Sequence, residues 1–382
     1  MFDKSVLHMD MDTFFVSVER KMNSALNGKP IIIGGTSNRG VVSSCSYEAR
    51  KFGVRSGMAM KMARQLCPDA IYLRGDMDAY SKESKLVTEI ISEKAPVFSK
   101  NSIDEFDLDL TGMDKYFGVA KWAKELRQHI IRETGLPISA GLSANRFVSK
   151  MATNEAKPCG EKQIYLGTEK AFLSPLHVSR MHGVGEVTAR KLIFMGVRHI
   201  GVLGDMPRKI LVREFGKNGH SLWEHANGID RSEVVPYREE KSVSTESTFQ
   251  TDTIDVRYLK TRINDMCSQL AFTLRSSGKL TSCVAVKIRY TDFKTYTHQR
   301  TIPYTANDRE LLRHVNELFD HLYNRRVLVR LVGVRFSGLV RGNYQISLLD
   351  DTVRDIDLLQ TLDKVRNRFG KDAVKWAAAW GK

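Results

Sequence analysis

His8-Met9-Asp10-Met11-Asp12 and, about ninety residues further on, Ser102-Ile103-Asp104-Glu105-Phe106-Asp107-Leu108-Asp109-Leu110 decide how this chain is read. The first follows the apolar pair Val6-Leu7, and the second opens an alternating stretch. Each predicts a β-strand with carboxylates at or near one end. Neighbouring positions in one sheet would bring Asp10, Asp104 and Glu105 to a single spot. Three carboxylates packed that closely cannot all stay ionised without cations between them. Hard divalent ions with oxygen ligands and open positions for phosphate answer that need, Mg²⁺ first among them. Two such ions form a phosphoryl-transfer site. Any one of these acids alone reads as a solvated loop residue; the two motifs together do not. Adjacent residues on a regular strand point to opposite faces. Asp104 and Glu105 can therefore share a site only where the backbone turns or twists.

The 382 residues suffice for two to four domains with a substantial buried core. Composition is that of a globular protein, 42% hydrophobic and 27% charged. A net charge of +15 favours a polyanionic partner, nucleic acid before anionic membrane. Apolar runs such as Ile31-Ile32-Ile33 are too short to span a bilayer. Asp3 and Lys4 lead straight into a strand, which is not a signal-peptide pattern. The five cysteines (Cys45, Cys67, Cys159, Cys267, Cys283) are scattered, odd in number and without metal-ligand spacing. They are expected to be reduced thiols of a cytoplasmic protein.

Past Asp12 a helix is predicted around Thr13–Met22, then a buried strand at Ile31-Ile32-Ile33 ending in Gly34-Gly35, then short helices at Tyr47–Phe52 and Met58–Leu66. Residues 77–93 and 114–134 have apolar positions at helical spacing and should back the acid-bearing sheet. Pro137–Leu142 reads as a strand and Asn145–Ala156 as a helix. Residues 169–231 change to short helices and glycine turns, and a charged connector follows at Arg238-Glu239-Glu240-Lys241. Residues 241–341 hold seventeen Lys+Arg against nine Asp+Glu, a net +8. Helices alternate there with strands such as Ser282–Tyr290 and Leu328–Phe336, which predicts a separate basic α+β module. A further helix is plausible at Asp355–Arg368.

Five motifs in this order, His8–Phe15, Ser46-Tyr47-Glu48-Ala49-Arg50-Lys51-Phe52-Gly53, Ser102–Glu105, Ala156-Lys157-Pro158 and Gly183-Val184-Gly185, resemble a Y-family lesion-bypass DNA polymerase of the DNA polymerase IV group. The likeness runs from about Ser5 to Phe336. It implies an α+β multidomain right hand: residues 1–12 and 75–168 as palm, 13–74 as fingers, 169–231 as a helix-hairpin-helix thumb, 232–241 as linker, 242–341 as a basic α+β little finger, and 342–382 as a tail. The implied activity is low-fidelity, DNA-templated translesion synthesis from dNTPs on primer-template DNA. Two Mg²⁺ ions would serve it, with neither the length nor a further acid cluster for an exonuclease. The small fingers residues Ser43, Ser44 and Gly57 fit a loosely walled site.

The resemblance places Asp10 and Glu105 on the catalytic metal, and Asp104, Asp10 and the Met11 carbonyl on the nucleotide-bound metal. Asp12 becomes a structural neighbour. Phe106-Asp107 departs from the small-then-aromatic pair usual there, putting a bulky ring and an extra carboxylate near the metals. Phe15 falls at the steric gate that would clash with a 2′-hydroxyl, although both Phe14 and Phe15 read equally as core. Tyr47, Arg50 and Lys157, with Ser44, resemble a triphosphate clamp. Lys150 would approach primer end or template.

Three further groups point to DNA or its accessories. Gly183 and Gly185 sit in a helix-hairpin-helix pattern that offers main-chain N–H groups to phosphate. A weaker phosphate contact is Phe215-Gly216-Lys217-Asn218-Gly219. Lys287 and Arg289 alternate with Val286 and Ile288, placing one face on core and the other on a duplex. Arg330 and Arg335 are an odd number of residues apart and share that face only through an irregularity, expected at Gly333. Gln345-Ile346-Ser347-Leu348-Leu349 resembles a sliding-clamp peptide, with Gln345, Leu348 and Leu349 as its contacts. A monomer is the simplest state. Rival readings are a two-metal nuclease, which has no triphosphate for Tyr47, Arg50 and Lys157 to hold, and a non-catalytic DNA-binding accessory, which has no use for the three acids.

Overall fold

The computed structural model describes residues 4–113, 118–236, 239–342, 352–370, 373–374 and 376. The chain divides into two compact units, Met1–Arg238 and Glu239–Lys382. Their boundary falls inside the 232–241 connector.

The first unit is built on a five-stranded sheet in the order Val97–Lys100, Glu105–Asp109, Val6–Met11, Ile138–Ser143, Glu161–Gln163. All pairs are antiparallel except the last. The central strand is buried along its whole length, because both faces are covered. Leu7, Met9 and Met11 pack with Val87, Ile91, Leu126 and Ile130 from helices Met77–Lys94 and Val119–Thr134. The opposite face receives helix Arg146–Ala156, capped by the Asn145 side chain accepting from the Val148 N–H. This helix comes close: a Cβ on Gly141 would lie 2.2 Å from the Ser149 carbonyl oxygen. Its inward Ser149 and Thr153 hydroxyls donate to the Val6 and His8 carbonyls at 2.7 and 3.1 Å. The helix therefore fixes the strand that ends in Asp10.

Thr13, at φ 44°, swings the chain from Asp12 into helix Phe14–Met22. A β-branched residue in this left-handed region is strained by roughly 1–3 kcal/mol. Beyond lies a three-stranded sheet, Val42–Cys45, Ile31–Gly34, Ile71–Leu73, with helices Tyr47–Lys51 and Met60–Leu66. Ser46 caps the first of these, accepting from the Ala49 N–H at 3.2 Å.

From Glu169 the chain forms short helices, among them Glu186–Phe194, Arg208–Phe215 and Lys217–Ala226. Residues on both sides of the expected 168/169 boundary share packing. Phe147, Val148 and Met151 share one apolar cluster with Val178, Leu192, Ile200 and Leu211. Helix Arg146–Ala156 thus joins the five-stranded sheet, through its Ser149 and Thr153 hydroxyls, to the later short helices, through its apolar residues.

The second unit has a four-stranded antiparallel sheet in the order Thr295–Thr305, Lys279–Tyr290, Val329–Arg341, Ser242–Thr253. Helices Val256–Ser276 and Asp308–Leu322 cover one face, burying Val284, Val286, Ile288, Val332, Val334 and Phe336. The helix expected in the tail is present as Thr352–Phe369. It docks through Asp363, which receives Arg275 at 2.6 Å, and through the buried Leu359. Arg275 also donates to buried Asp308 at 2.5 Å, and Trp376 Nε1 donates to the other oxygen of Asp308 at 2.6 Å. The expected clamp peptide, Gln345, Leu348 and Leu349, lies outside the described residues. Among the described residues no helix is long and apolar enough to cross a membrane, and all five cysteines are free.

Candidate active site

The antiparallel pairing sets Asp10 directly opposite Glu105. Asp104 lies just before that strand, and its main-chain oxygen accepts from the Met11 N–H at 3.0 Å. The turn that Asp104 requires is made by Ser102. Its hydroxyl accepts the N–H groups of Asp104 and Glu105 at 3.3 and 3.1 Å and donates to Asp104 Oδ1 at 2.5 Å. Strand alternation is broken there, so the consecutive acids 104 and 105 need not point to opposite faces.

Two lysines enter from helix Arg146–Ala156 and its end. Lys157 Nζ lies 2.6 Å from Asp10 Oδ1, and Lys150 Nζ lies 2.5 Å from Glu105 Oε2. Burial pushes the Asp10 carboxyl up to about 7, against the pull of Lys157, with Glu105 and Asp104 adding to the rise. A carboxylate so disposed is ionised at neutral pH only at a cost that a cation would relieve. Among the described residues no three His, Cys, Asp or Glu side chains cage a cation by themselves. Mg²⁺ takes one or two carboxylates and fills its remaining positions with water and substrate phosphate. The donor set (Asp10, Asp104, Glu105 and the Met11 carbonyl) is all oxygen and fits such an ion.

Asp12 is spent on structure. Tyr47 Oη and Ser139 Oγ donate to its carboxylate at 2.9 and 2.7 Å, and the Cys159 N–H donates at 2.8 Å. Replacing it with alanine orphans three donors in a buried place. The Asp12→Ala variant is expected to lose about 3–5 kcal/mol of unfolding free energy in denaturant titrations, well beyond a surface change.

Tyr47 and Arg50 come together, the Arg50 guanidinium lying 4.8 Å from the Tyr47 ring centroid. Burial first, then Asp12, raises the Tyr47 hydroxyl well above its ordinary range, so it stays a donor. Ser44 is buried in the adjoining strand opposite Ile33. No bond ties it to Tyr47 or Arg50. Phe14 is buried, whereas Phe15 is half-buried and stacked on Tyr80 at 4.3 Å and 12°.

The unusual Phe106-Asp107 pair is accommodated. Phe106 turns into the helix-covered core. Asp107 is claimed by Arg146 at 2.6 and 2.8 Å and by Asn101 at 2.7 Å. His8, across the sheet from Asp107, sets its Nδ1 3.0 Å from Thr153 Oγ1. Burial, reinforced by Lys150 and Lys157, drives its imidazole well below the ordinary range, so it is neutral. Sequence reasoning missed His8, Asn101, Ser102, Arg146 and Tyr80 as supports; only the Ser102 turn had a local signal. A cleft of about 460 Å³ opens beside Glu105, lined by Asp107, Arg146, Lys150, His182 and His225 among others.

In the hairpin of Gly183 and Gly185, Gly183 has φ 86° and Gly185 precedes helix Glu186–Phe194; a Cβ at either would meet open space. The first helix of this motif is only a three-residue 3-10 turn, Val178–Arg180. Gly216 (φ 60°) joins helices Arg208–Phe215 and Lys217–Ala226 in a second such corner.

On the sheet of the second unit, Lys287 pairs across strands with Gly333, Arg289 with Leu331 and Ala285 with Arg335. Lys287, Arg289 and Arg335 thus share the face away from the helices. Lys287 also forms an ion pair with Glu246 on that face, a carboxylate the charge count did not single out. The expected irregularity is not at Gly333, which pairs regularly. It is at Arg330: the register slips between Val329 and Leu331, leaving Arg330 bulged.

The impB/mucB/samB family matches residues 9–154, and the C-terminal domain of that family matches residues 240–348. A Dehalococcoides mccartyi (strain CBDB1) protein named DNA polymerase IV is 35% identical over 376 residues, covering 97% of this chain and 96% of that protein. A Listeria innocua protein of the same name is 37% identical over 339 residues, covering 88% of this chain and 95% of its own. Among solved structures, the Y-family DNA polymerase chimera Dbh-Dpo4(243-245)-Dbh superposes with a TM-score of 0.79 at 23% identity, covering 88% of this chain and 100% of that chain. That last likeness speaks for the fold. With paired acids at the end of a buried strand and this identity over nearly its whole length, the chain belongs to the DNA polymerase IV group of the Y-family polymerases.

Proposed function

We propose that Asp10, Asp104, Glu105 and the Met11 carbonyl hold two Mg²⁺ ions for nucleotide addition to a primer 3′-hydroxyl. The chain is a DNA-directed DNA polymerase of the translesion type, acting on primer-template DNA and dNTPs. The observation that carries the site assignment is the Asp10–Glu105 pairing with a lysine on each acid. Bound ions would lower the pKa of the attacking hydroxyl and shield the pyrophosphate leaving group.

The protein residues orient and hold. Arg50, with its planar fork, and Lys157, as a compact charge, take the triphosphate, and Tyr47 Oη is fixed beside them by Asp12. Phe15 lies under the sugar as the gate. Lys150 and the cleft beside Glu105 receive the primer end. Residues 1–12 and 75–168 act as palm, 13–74 as fingers, 169–231 as thumb and 242–341 as little finger. Gly183, Gly185, Lys287, Arg289, Arg330 and Arg335 contact the DNA backbone. Ser43, Ser44 and Gly57 leave a loose wall and hence low fidelity. The clamp contact through Gln345, Leu348 and Leu349 and the state as a cytoplasmic monomer rest on the sequence reading.

Steady-state single-nucleotide incorporation tests the clamp. Arg50→Ala and Lys157→Ala are expected to raise KM for dNTP by about tenfold or more, the worth of a charge-assisted contact. Unchanged KM in both would remove these residues from the triphosphate site.

A further inference from the structure

The hairpin joining strands Lys279–Tyr290 and Thr295–Thr305 displays an aromatic ring that folding does not use. Phe293 is 64% exposed, and its backbone lies at φ 62°. That region penalises most residues with a Cβ; Gly fits it without cost and Asn tolerates it. Neither burial nor backbone preference calls for phenylalanine.

The tip is nonetheless tied by hydrogen bonds and an ion pair. The Phe293 N–H donates to the Tyr290 carbonyl at 3.0 Å, and the Tyr290 N–H donates to that of Lys294 at 3.1 Å. Arg325 grips the Asp292 carboxylate at 2.8 Å and lies 4.7 Å from the Tyr290 ring centroid and 5.7 Å from that of Tyr296. Arg330, thrown out of strand alternation by the bulge, sets its guanidinium 4.6 Å from the Phe293 ring centroid. Within residues 289–294 and 325–330, five cations (Arg289, Lys294, Arg325, Arg326, Arg330) face one acid, Asp292.

We propose that Phe293, backed by Arg330, is a stacking platform for an unpaired base of single-stranded DNA, namely the template overhang. Every base has a π-face that stacks on an aromatic ring, and surrounding cations hold the backbone without reading sequence. A ring carried on a hydrogen-bonded turn and backed by Arg330 has less freedom to lose on binding. Tyr296 and Leu328 are also partly exposed beside it, 41% and 42%, but apolar surface this small set among five cations suits a base better than an apolar protein partner, whose contact would need a wider patch. The proposal rests on the polymerase reading, which supplies primer-template DNA as the substrate.

The test is fluorescence anisotropy of the full chain at fixed salt with a labelled blunt duplex and the same duplex bearing a single-stranded thymidine overhang. Phe293→Ala and Phe293→Gly are expected to weaken overhang binding about tenfold, with blunt-duplex Kd changed less than about twofold and Phe293→Trp restoring affinity. Phe293→Gly should melt at or above the temperature of the native chain, which separates lost stacking from lost folding. Unchanged overhang affinity, equal losses on both substrates, or a folded Trp variant that fails to restore binding would overturn the platform. Primer extension on the overhang DNA is scored in parallel. Extension with unaltered Phe293→Ala binding refutes the platform alone; Phe293-dependent binding with no extension refutes the polymerase reading alone.

Discussion

Exchanging Asp10 for asparagine is expected to cut kcat for nucleotide addition by about a hundred- to a thousandfold while DNA affinity barely changes. The amide keeps the volume and can still accept a hydrogen bond from Lys157, which lies 2.6 Å from Asp10 Oδ1, so the strand end stays in place. What is lost is the charge proposed to hold the cations. A loss confined to KM would instead make Asp10 a substrate-binding group.

The same substitution has a signature in stability. In the folded chain burial holds the Asp10 carboxyl up to about 7, against an ordinary 3.8. The folded state therefore keeps a proton that the unfolded chain releases, and stability falls as pH rises through that window. In EDTA, the native chain is expected to lose on the order of 1–4 kcal/mol between about pH 4 and pH 7 relative to Asp10→Asn, which has no such proton. Guanidinium unfolding at several pH values measures the difference. A flat or rising difference would show that Asp10 is comfortably ionised without a metal.

Opening the gate is the second large effect. Phe15→Ala is expected to lower the preference for dNTP over NTP, as a ratio of kcat/KM values, by about 10–100-fold, since steric rejection of a few heavy atoms is worth 1–3 kcal/mol. A gate rejects only if it cannot yield. Phe15 is stacked at 4.3 Å on Tyr80, whose buried ring is anchored by its hydroxyl donating to Glu19 Oε1 at 2.5 Å. Tyr80→Phe keeps the stack but removes that anchor, and should lower the preference by less than Phe15→Ala does. Unaltered discrimination in Phe15→Ala would return Phe15 to the core.

The central strand and its acids were legible because period-two alternation and the flanking apolar residues are local signals. Ser102 could also have been read, since a Ser at the head of Ser-x-Asp-Glu is turn chemistry. What was not legible depends on distant partners. Asp12 is satisfied by residues 35, 127 and 147 positions away, and Asp107 by Arg146, 39 positions on. A buried carboxylate looks the same in sequence whether it will meet a metal or a guanidinium.

The bulge shows a different limit. Gly333 is the obvious place for a strand to break, yet it lies regularly between Lys287 and Glu246. A Cβ there would lie 2.7 Å from the Glu246 side chain, so this glycine serves a close cross-strand approach. Helix Arg146–Ala156 shows a similar limit. Its apolar residues Phe147, Val148 and Met151 join the later helices while its Ser149 and Thr153 hydroxyls hold the sheet, and periodicity cannot say which neighbours each side will meet. The tail helix was visible by its spacing, but not its anchoring through Asp363 to Arg275, 88 residues earlier.

Primer extension on an undamaged primer-template with Mg²⁺ and each dNTP, run beside the Asp104→Ala/Glu105→Ala double variant, tests the central claim most directly. The account predicts template-directed extension by the native chain and its loss in a variant that still binds DNA. Native protein that binds DNA without extending it, or that degrades DNA in Mg²⁺ without nucleotides, would contradict it.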